Sequence, residues 1–161
     1  MDKMNKIKYL VMDVDGTLTD GKIYIASSGE LCKAFNIKDG YGIHDIVIAK
    51  GIIPVILTGR KSDIVLRRCK ELGITEIHQG ILDKKSKLNA IAENFSEVAY
   101  IGDDINDIAC MCAIKEQGGV IGCPHDAVDQ VKAVSDFIAK HDGGNGAVRE
   151  FIDWITEETK W

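Results

Sequence analysis

Two patterns alternate along this chain. Short apolar runs give way to stretches whose apolar positions recur every three or four residues. The runs predict strands buried on both faces and the longer stretches predict amphipathic helices. Their alternation predicts a parallel α/β sheet. Residues 7–12 read as the first buried strand, and residues 23–25 and 31–37, flanking Ser27-Ser28-Gly29, as a β-hairpin. A helix over 42–50, with Asp39 or Gly40 near its start, leads to a second core strand at 52–57. The next helix spans 62–72 and stops at Gly73, as helices often do at a glycine. A short strand at 74–78 precedes a helix at 84–94, with Leu88, Ile91 and Phe95 on one face. A strand at 98–101, a helix at 105–114 and short strands at 120–121 and 137–138 follow. Gly143-Gly144-Asn145-Gly146 breaks the pattern as a hinge before a last amphipathic helix at 147–156.

The totals narrow the classes. At 161 residues the chain fits one domain, and it shows no repeat or linker. The net charge of −5, without a basic stretch, argues against nucleic acid and against anionic membranes as partners. No apolar run approaches a membrane span, and the run at 9–12 is too short for a signal-peptide core. Five cysteines, an odd number inside apolar or helical patterns, predict reduced thiols and a cytoplasmic location. Cys110 and Cys112 sit two apart on a helix and diverge, so a zinc site with Cys123 and His125 is not expected. Trp154 and Trp161 read as packing or tail residues.

The chemistry gathers at the ends of the predicted core strands. Asp13-Val14-Asp15-Gly16-Thr17 follows the first strand and Thr58-Gly59-Arg60 the second. Gly102-Asp103-Asp104-Ile105-Asn106-Asp107 follows the strand at 98–101. In a parallel sheet these loops share the carboxyl edge, where α/β domains bind ligands. Asp13, Asp15 and Asp103 would make an oxygen-rich site suited to Mg²⁺, because crowded carboxylates need a cation to stay ionised. A carboxylate beside Mg²⁺ can attack phosphorus, and a second can serve as acid and base. Thr58 and Gly59 offer a hydroxyl and an open N–H to phosphate, and a lysine within 84–87 would balance charge. Taken singly, an Asp-x-Asp or a Thr-Gly is an ordinary turn; the order of several motifs gives them weight. A receiver domain would place its acidic pair after the first strand and its phosphorylated aspartate after the third, an arrangement this chain does not show.

The stretch Asp13-Val14-Asp15-Gly16-Thr17-Leu18-Thr19-Asp20-Gly21 resembles the first motif of the haloacid dehalogenase (HAD) superfamily of phosphotransferases. Thr58, Lys84 and Gly102-Asp103-Asp104 with Asp107 follow in the order of that superfamily's other motifs. Lys38-Asp39-Gly40-Tyr41-Gly42, Thr58-Gly59-Arg60-Lys61 and Gly143-Gly144-Asn145-Gly146-Ala147-Val148-Arg149-Glu150 are similar to its small capless branch, which contains 3-deoxy-D-manno-octulosonate 8-phosphate phosphatase. The likeness runs over nearly the whole chain.

The resemblance implies a three-layer, Rossmann-like parallel sheet with a protruding hairpin at about 22–37 and no cap domain. It implies one domain over residues 1–161, with a glycine-rich tail and helix at 143–161. Asp13 would be the nucleophile and Asp15 the general acid/base. Asp13, the Asp15 backbone carbonyl and Asp103 would hold Mg²⁺, with Asp104 and Asp107 orienting them. Thr58, Gly59 and Lys84 would bind phosphate, Lys87 being the alternative lysine because the stretch before the strand at 98–101 is shorter than the family pattern. Arg60 and Arg68 are candidate contacts for a substrate carboxylate. Only 42 residues separate Asp15 from Thr58, too few for a cap, and capless relatives shield their sites through association of four chains. A homotetramer is therefore implied, with Ile23, Ile25, Leu31 and Phe35 buried between copies. The implied substrate is a phosphorylated acidic sugar, the octulosonate 8-phosphate, since Arg60 stands where sialic-type relatives tend to carry an acidic residue. A nonulosonate 9-phosphate and a non-catalytic oligomerisation module fused to sugar-activating enzymes are the alternatives.

Overall fold

The computed structural model describes residues 7–157, so Trp161 and the ends of the expected domain lie outside the described residues. Six strands form one sheet in the order β5-β4-β1-β6-β7-β8, built from β1 (Tyr9–Met12), β4 (Ile53–Thr58), β5 (Glu76–Gln79), β6 (Val98–Ile101), β7 (Val120–Cys123) and β8 (Phe137–Ile138). Every neighbouring pair in it runs parallel. Strands β2 (Tyr24–Ala26) and β3 (Gly29–Cys32) form a separate antiparallel hairpin.

Alternation along the strands divides the core into two layers, as the period of two requires. Leu10, Met12, Ile56, Ala99 and Ile101 point to one face. They pack against the π-helix Gly42–Ile48, α2 (Asp63–Glu71) and α6 (Ala147–Glu157) through Ile43, Val47, Val65, Cys69, Phe151 and Ile152. Val11, Val55, Leu57, Val98 and Tyr100 point to the other face. There they meet α3 (Lys84–Ile91), α4 (Ile105–Glu116) and α5 (Asp129–Val134) through Leu88, Met111, Ile114 and Val131. The result is the three-layer α/β architecture expected from the sequence, with no cap between β1 and β4.

The hairpin differs from expectation in its second strand. The run at 31–37 leaves the strand after Cys32, because Asn36 caps α1 (Ile37–Tyr41) by accepting the Lys38 N–H at 2.8 Å. The helix foreseen at 42–50 thus begins at Ile37 and continues into the π-helix. The helix foreseen at 84–94 stops at Ile91, and Asn94 caps a 3₁₀ turn, Phe95–Glu97, that feeds β6.

Candidate active site

Strand register sets the site. Met12 pairs with Ile56 on one side and with Ile101 on the other. Asp13, Thr58 and Asp103 therefore emerge at one edge from three adjacent central strands. This is also where the strand order reverses around β1, the crevice that open α/β sheets use for ligands.

The first loop turns sharply to hold this arrangement. Gly16 has φ of +88°, and a Cβ there would fall 2.1 Å from Asp103 Oδ2. Glycine is what lets the Asp13 loop and the Asp103 carboxylate close on one another. The Thr17 hydroxyl donates to Asp103 Oδ1 at 3.0 Å. From the far end of the chain Gly143 and Gly144 press on the same loop. The Gly144 N–H donates to the Thr17 carbonyl at 3.1 Å, and a Cβ on Gly143 would lie 1.8 Å from the Gly16 carbonyl oxygen. The glycine cluster, expected as a hinge, is a backbone-to-backbone brace on the loop after β1 of its own chain.

Lys84 opens α3 and points back into the cluster, with its side chain only 2% exposed. Its Nζ lies 3.0 Å from Asp13 Oδ1 and 2.7 Å from Asp107 Oδ1. Burial alone would lower the lysine's pKa, but the charges of Asp13 and Asp107 outweigh it and the net shift is upward. Lys87, the alternative, lines a surface cleft with Tyr9, Ile53 and His78.

Asp13, Asp103 and Asp107 bring carboxylate oxygens within 4.8 Å of one another. Asp107 is already committed. Its Oδ1 accepts from Lys84 and, at 2.6 Å, from the Tyr100 hydroxyl, while its Oδ2 accepts the N–H groups of Asp103 and Asp104 at 3.0 and 3.3 Å. Asp13 Oδ1 faces Lys84 and Asp103 Oδ1 accepts from Thr17, which leaves the second oxygen of each carboxylate for a ligand. Burial first, then the charge of Asp107, raises the pKa of Asp13; burial, then Asp13 and Asp107, raises that of Asp103. Two facing carboxylates under that strain are a donor set that suits a hard divalent cation, which would relieve the repulsion.

Asp104, expected to orient the metal ligands, caps α4, where it and Asp107 form a reciprocal capping box. Thr58 is buried at the end of β4, and Gly59 follows it. Arg60 is half exposed at the mouth, 3.5 Å from Glu30. Arg68 is not tied to this cluster: it pairs with Glu71 at 2.9 Å and lies over the Phe35 ring, lining a cleft with Ile37, Tyr41 and His44. Sequence reasoning missed Glu30, Lys33 and Tyr100. Lys33 pairs with the Asp15 carboxylate and its side chain is 2% exposed, although a Glu-x-x-Lys in a hairpin reads as a solvated pair.

No family model matches the chain. Its sequence is 40% identical over 159 residues to 3-deoxy-D-manno-octulosonate 8-phosphate phosphatase KdsC of Escherichia coli, covering 96% of this chain and 82% of that protein. The Yersinia pestis KdsC is 37% identical over 153 residues, covering 92% of this chain and 79% of that protein. Among solved structures, the cobalt-bound deoxy-D-mannose-octulosonate 8-phosphate phosphatase (YrbI) of Haemophilus influenzae superposes with a TM-score of 0.90 at 34% identity, over 97% of this chain and 91% of that one. The Moraxella catarrhalis 3-deoxy-D-manno-octulosonate 8-phosphate phosphatase, solved with magnesium, phosphate and KDO, gives 0.87 at 43% identity, over 96% and 88%. With this agreement along most of both chains, and with the strand-end carboxylates and buried lysine in place, the chain belongs to the KdsC family of HAD-superfamily phosphatases.

Proposed function

We propose that this phosphatase hydrolyses 3-deoxy-D-manno-octulosonate 8-phosphate with Mg²⁺, through a phosphoryl group carried on Asp13. The observation that carries the reading is the buried Lys84, 3.0 Å from Asp13, where the carboxylates of Asp13, Asp103 and Asp107 cluster at the carboxyl edge of the sheet. The relatives' activity and the magnesium, phosphate and KDO bound to the Moraxella enzyme support the substrate and the ion.

Asp13, the Asp15 backbone carbonyl and Asp103 would hold Mg²⁺, which when bound supplies charge neutralisation for these carboxylates and for the phosphoryl oxygens. Asp13 attacks phosphorus, and the bond from phosphorus to the sugar's ester oxygen breaks. Asp15 gives its proton to that oxygen, releasing the alcohol. Asp15 then takes a proton from water as the water attacks phosphorus, and the Asp13–phosphorus bond breaks to leave free phosphate. Thr58, Gly59 and Lys84 bind the phosphoryl oxygens, and Lys84 balances their charge through the transition state. Arg60, exposed at the mouth, takes the sugar carboxylate; Arg68 is held by Glu71 and would reach substrate only by leaving that pair.

The chain acts as one catalytic domain within a homotetramer. Ile25 and Leu31 on the hairpin are 72% and 67% exposed, an apolar surface that a neighbouring copy would cover. Five free thiols support a reducing, cytoplasmic setting, and no helix among the described residues is long and apolar enough to cross a membrane.

Phosphate release from octulosonate 8-phosphate, nonulosonate 9-phosphate and p-nitrophenyl phosphate, with and without Mg²⁺, tests the reading. Magnesium-dependent turnover highest on the octulosonate ester is expected. Preference for the nonulosonate ester would overturn the substrate, and no magnesium-dependent turnover on any ester would overturn the activity.

A further inference from the structure

Lys33 is a buried cation that the mechanism above leaves unassigned. It follows β3, in a hairpin whose Ile25 and Leu31 are mostly in solvent, yet its own side chain is only 2% exposed. A buried ammonium needs partners to offset its lost hydration. Lys33 has two, Oδ1 of Asp15 and, at 3.0 Å, Oε1 of Glu30.

Glu30 is anchored in turn. Its Oε2 accepts the Ser62 hydroxyl, and its Oε1 faces Arg60 at 3.5 Å. Gln79 fixes Ser62 from the end of β5: the Ser62 N–H donates to Gln79 Oε1 at 2.8 Å, and the Gln79 amide donates to the Ser62 carbonyl at 3.3 Å. A continuous chain of contacts runs from Gln79 through Ser62, Glu30 and Lys33 to Asp15. It joins the loop after β4, the root of the hairpin and the loop after β1.

The three strand-end aspartates are thus held by different side chains. Asp13 is held by Lys84, Asp103 by Thr17 and Asp15 by Lys33. Among the described residues Lys33 makes the one side-chain bond to the Asp15 carboxylate, at Oδ1, and no bond engages Oδ2. The contact fixes the carboxylate's rotation with one oxygen left free to exchange a proton.

We propose that Lys33 is a positioning residue for the phosphatase reaction: it holds Asp15 so that Oδ2 meets the leaving oxygen, and so makes the hairpin root part of its own chain's active site. This rests on the reading of Asp15 as the general acid/base. Lys33 acts on proton delivery, so its loss falls on esters whose leaving group must be protonated. An aryl phosphate departs without that help.

The test is kcat/KM, which covers the steps up to release of the alcohol, for octulosonate 8-phosphate and p-nitrophenyl phosphate. It is measured on the parent, Lys33→Met, Asp15→Asn and the double variant. Lys33→Gln serves as a second replacement, and circular dichroism checks that each variant is folded. Lys33→Met and Lys33→Gln are expected to lose about 10²-fold on the sugar ester and less than about threefold on the aryl ester. Lys33→Met is expected to add less than about threefold to the loss already caused by Asp15→Asn. An equal loss on both esters marks a phosphate contact and overturns the proposal. A full multiplicative loss in the Asp15→Asn background marks a contact to the sugar and overturns it as well, as does unchanged kcat/KM in folded variants. Asp13→Asn run alongside separates the two claims. Full activity there refutes the phosphatase mechanism itself, whereas inactivity there with parental activity in Lys33→Met refutes Lys33 alone.

Discussion

Nζ of Lys84 lies 3.0 Å from Oδ1 of Asp13, and neither side chain is more than 8% exposed. A cation so placed neutralises the surroundings of Asp13 in the resting protein and, in the proposed mechanism, would meet the phosphoryl oxygens during reaction. Lys84→Met should lower kcat/KM by about 10²–10³-fold, the scale of losing one preorganised charge-stabilising group. It should also lower metal-free stability by about 3 kcal/mol in urea unfolding, because Asp13 and Asp107 lose their buried partner. Unchanged activity in a folded Lys84→Met protein would remove the lysine from the mechanism.

Asp39 predicts how stability depends on pH away from the catalytic cluster. Its carboxylate accepts the Arg149 N–H at 2.8 Å near the start of α6, its Oδ2 has no bonding partner, and burial pushes its pKa up to about 6. The folded state therefore binds a proton more tightly than the unfolded state does. This group's contribution is fully present below the unfolded value near 3.8 and is lost as pH rises to about 6. Asp39→Asn should remove that fall, so its stability relative to the parent should rise by about 2 kcal/mol between pH 4 and pH 7. A parallel pair of stability profiles would contradict this.

The brace on the loop after β1 can be tested by two glycines of the same turn. Gly143→Ala places a methyl 1.8 Å from the Gly16 carbonyl, whereas a Cβ on Gly146, at φ of +106°, meets nothing within 4 Å. Gly143→Ala should cost about 2 kcal/mol through overpacking and lower kcat by displacing the loop that carries Asp15. Gly146→Ala should cost about 1 kcal/mol of backbone strain and leave kcat near the parent value. Thermal unfolding and steady-state kinetics on the two variants check both.

Much of this architecture was legible because the signals were local. The strand Val98–Ile101 and the short strand Phe137–Ile138 fall where their apolar runs predicted. Asp13, Thr58, Lys84 and Asp103 converge because each stands at the end of a strand or the start of a helix in a parallel sheet. The hairpin was less legible. Leu31, Phe35 and Ile37 alternate like a strand, but the cap by Asn36 turns the chain helical before the pattern ends. Lys33 was invisible because its pairing with Asp15 depends on how the hairpin folds back over the site, not on spacing. The surroundings of Arg68 were not legible for a related reason: on α2 its side chain lies over Phe35 and beside Glu71, a placement set by tertiary packing.

The exposed hairpin predicts the assembly. Ile25→Glu, at a position 72% exposed in the single chain, would put a charge into the apolar contact between copies. Light scattering coupled to size exclusion should find a tetramer for the parent and smaller species for the variant, with activity falling alongside. A parent that runs as a monomer would contradict the assembly.

In the proposed mechanism Asp13 carries the phosphoryl group, so the decisive measurement is phosphate release by Asp13→Asn from octulosonate 8-phosphate in Mg²⁺. The variant should be folded by circular dichroism, with turnover below detection while the parent turns over freely. Substantial turnover by folded Asp13→Asn would contradict it.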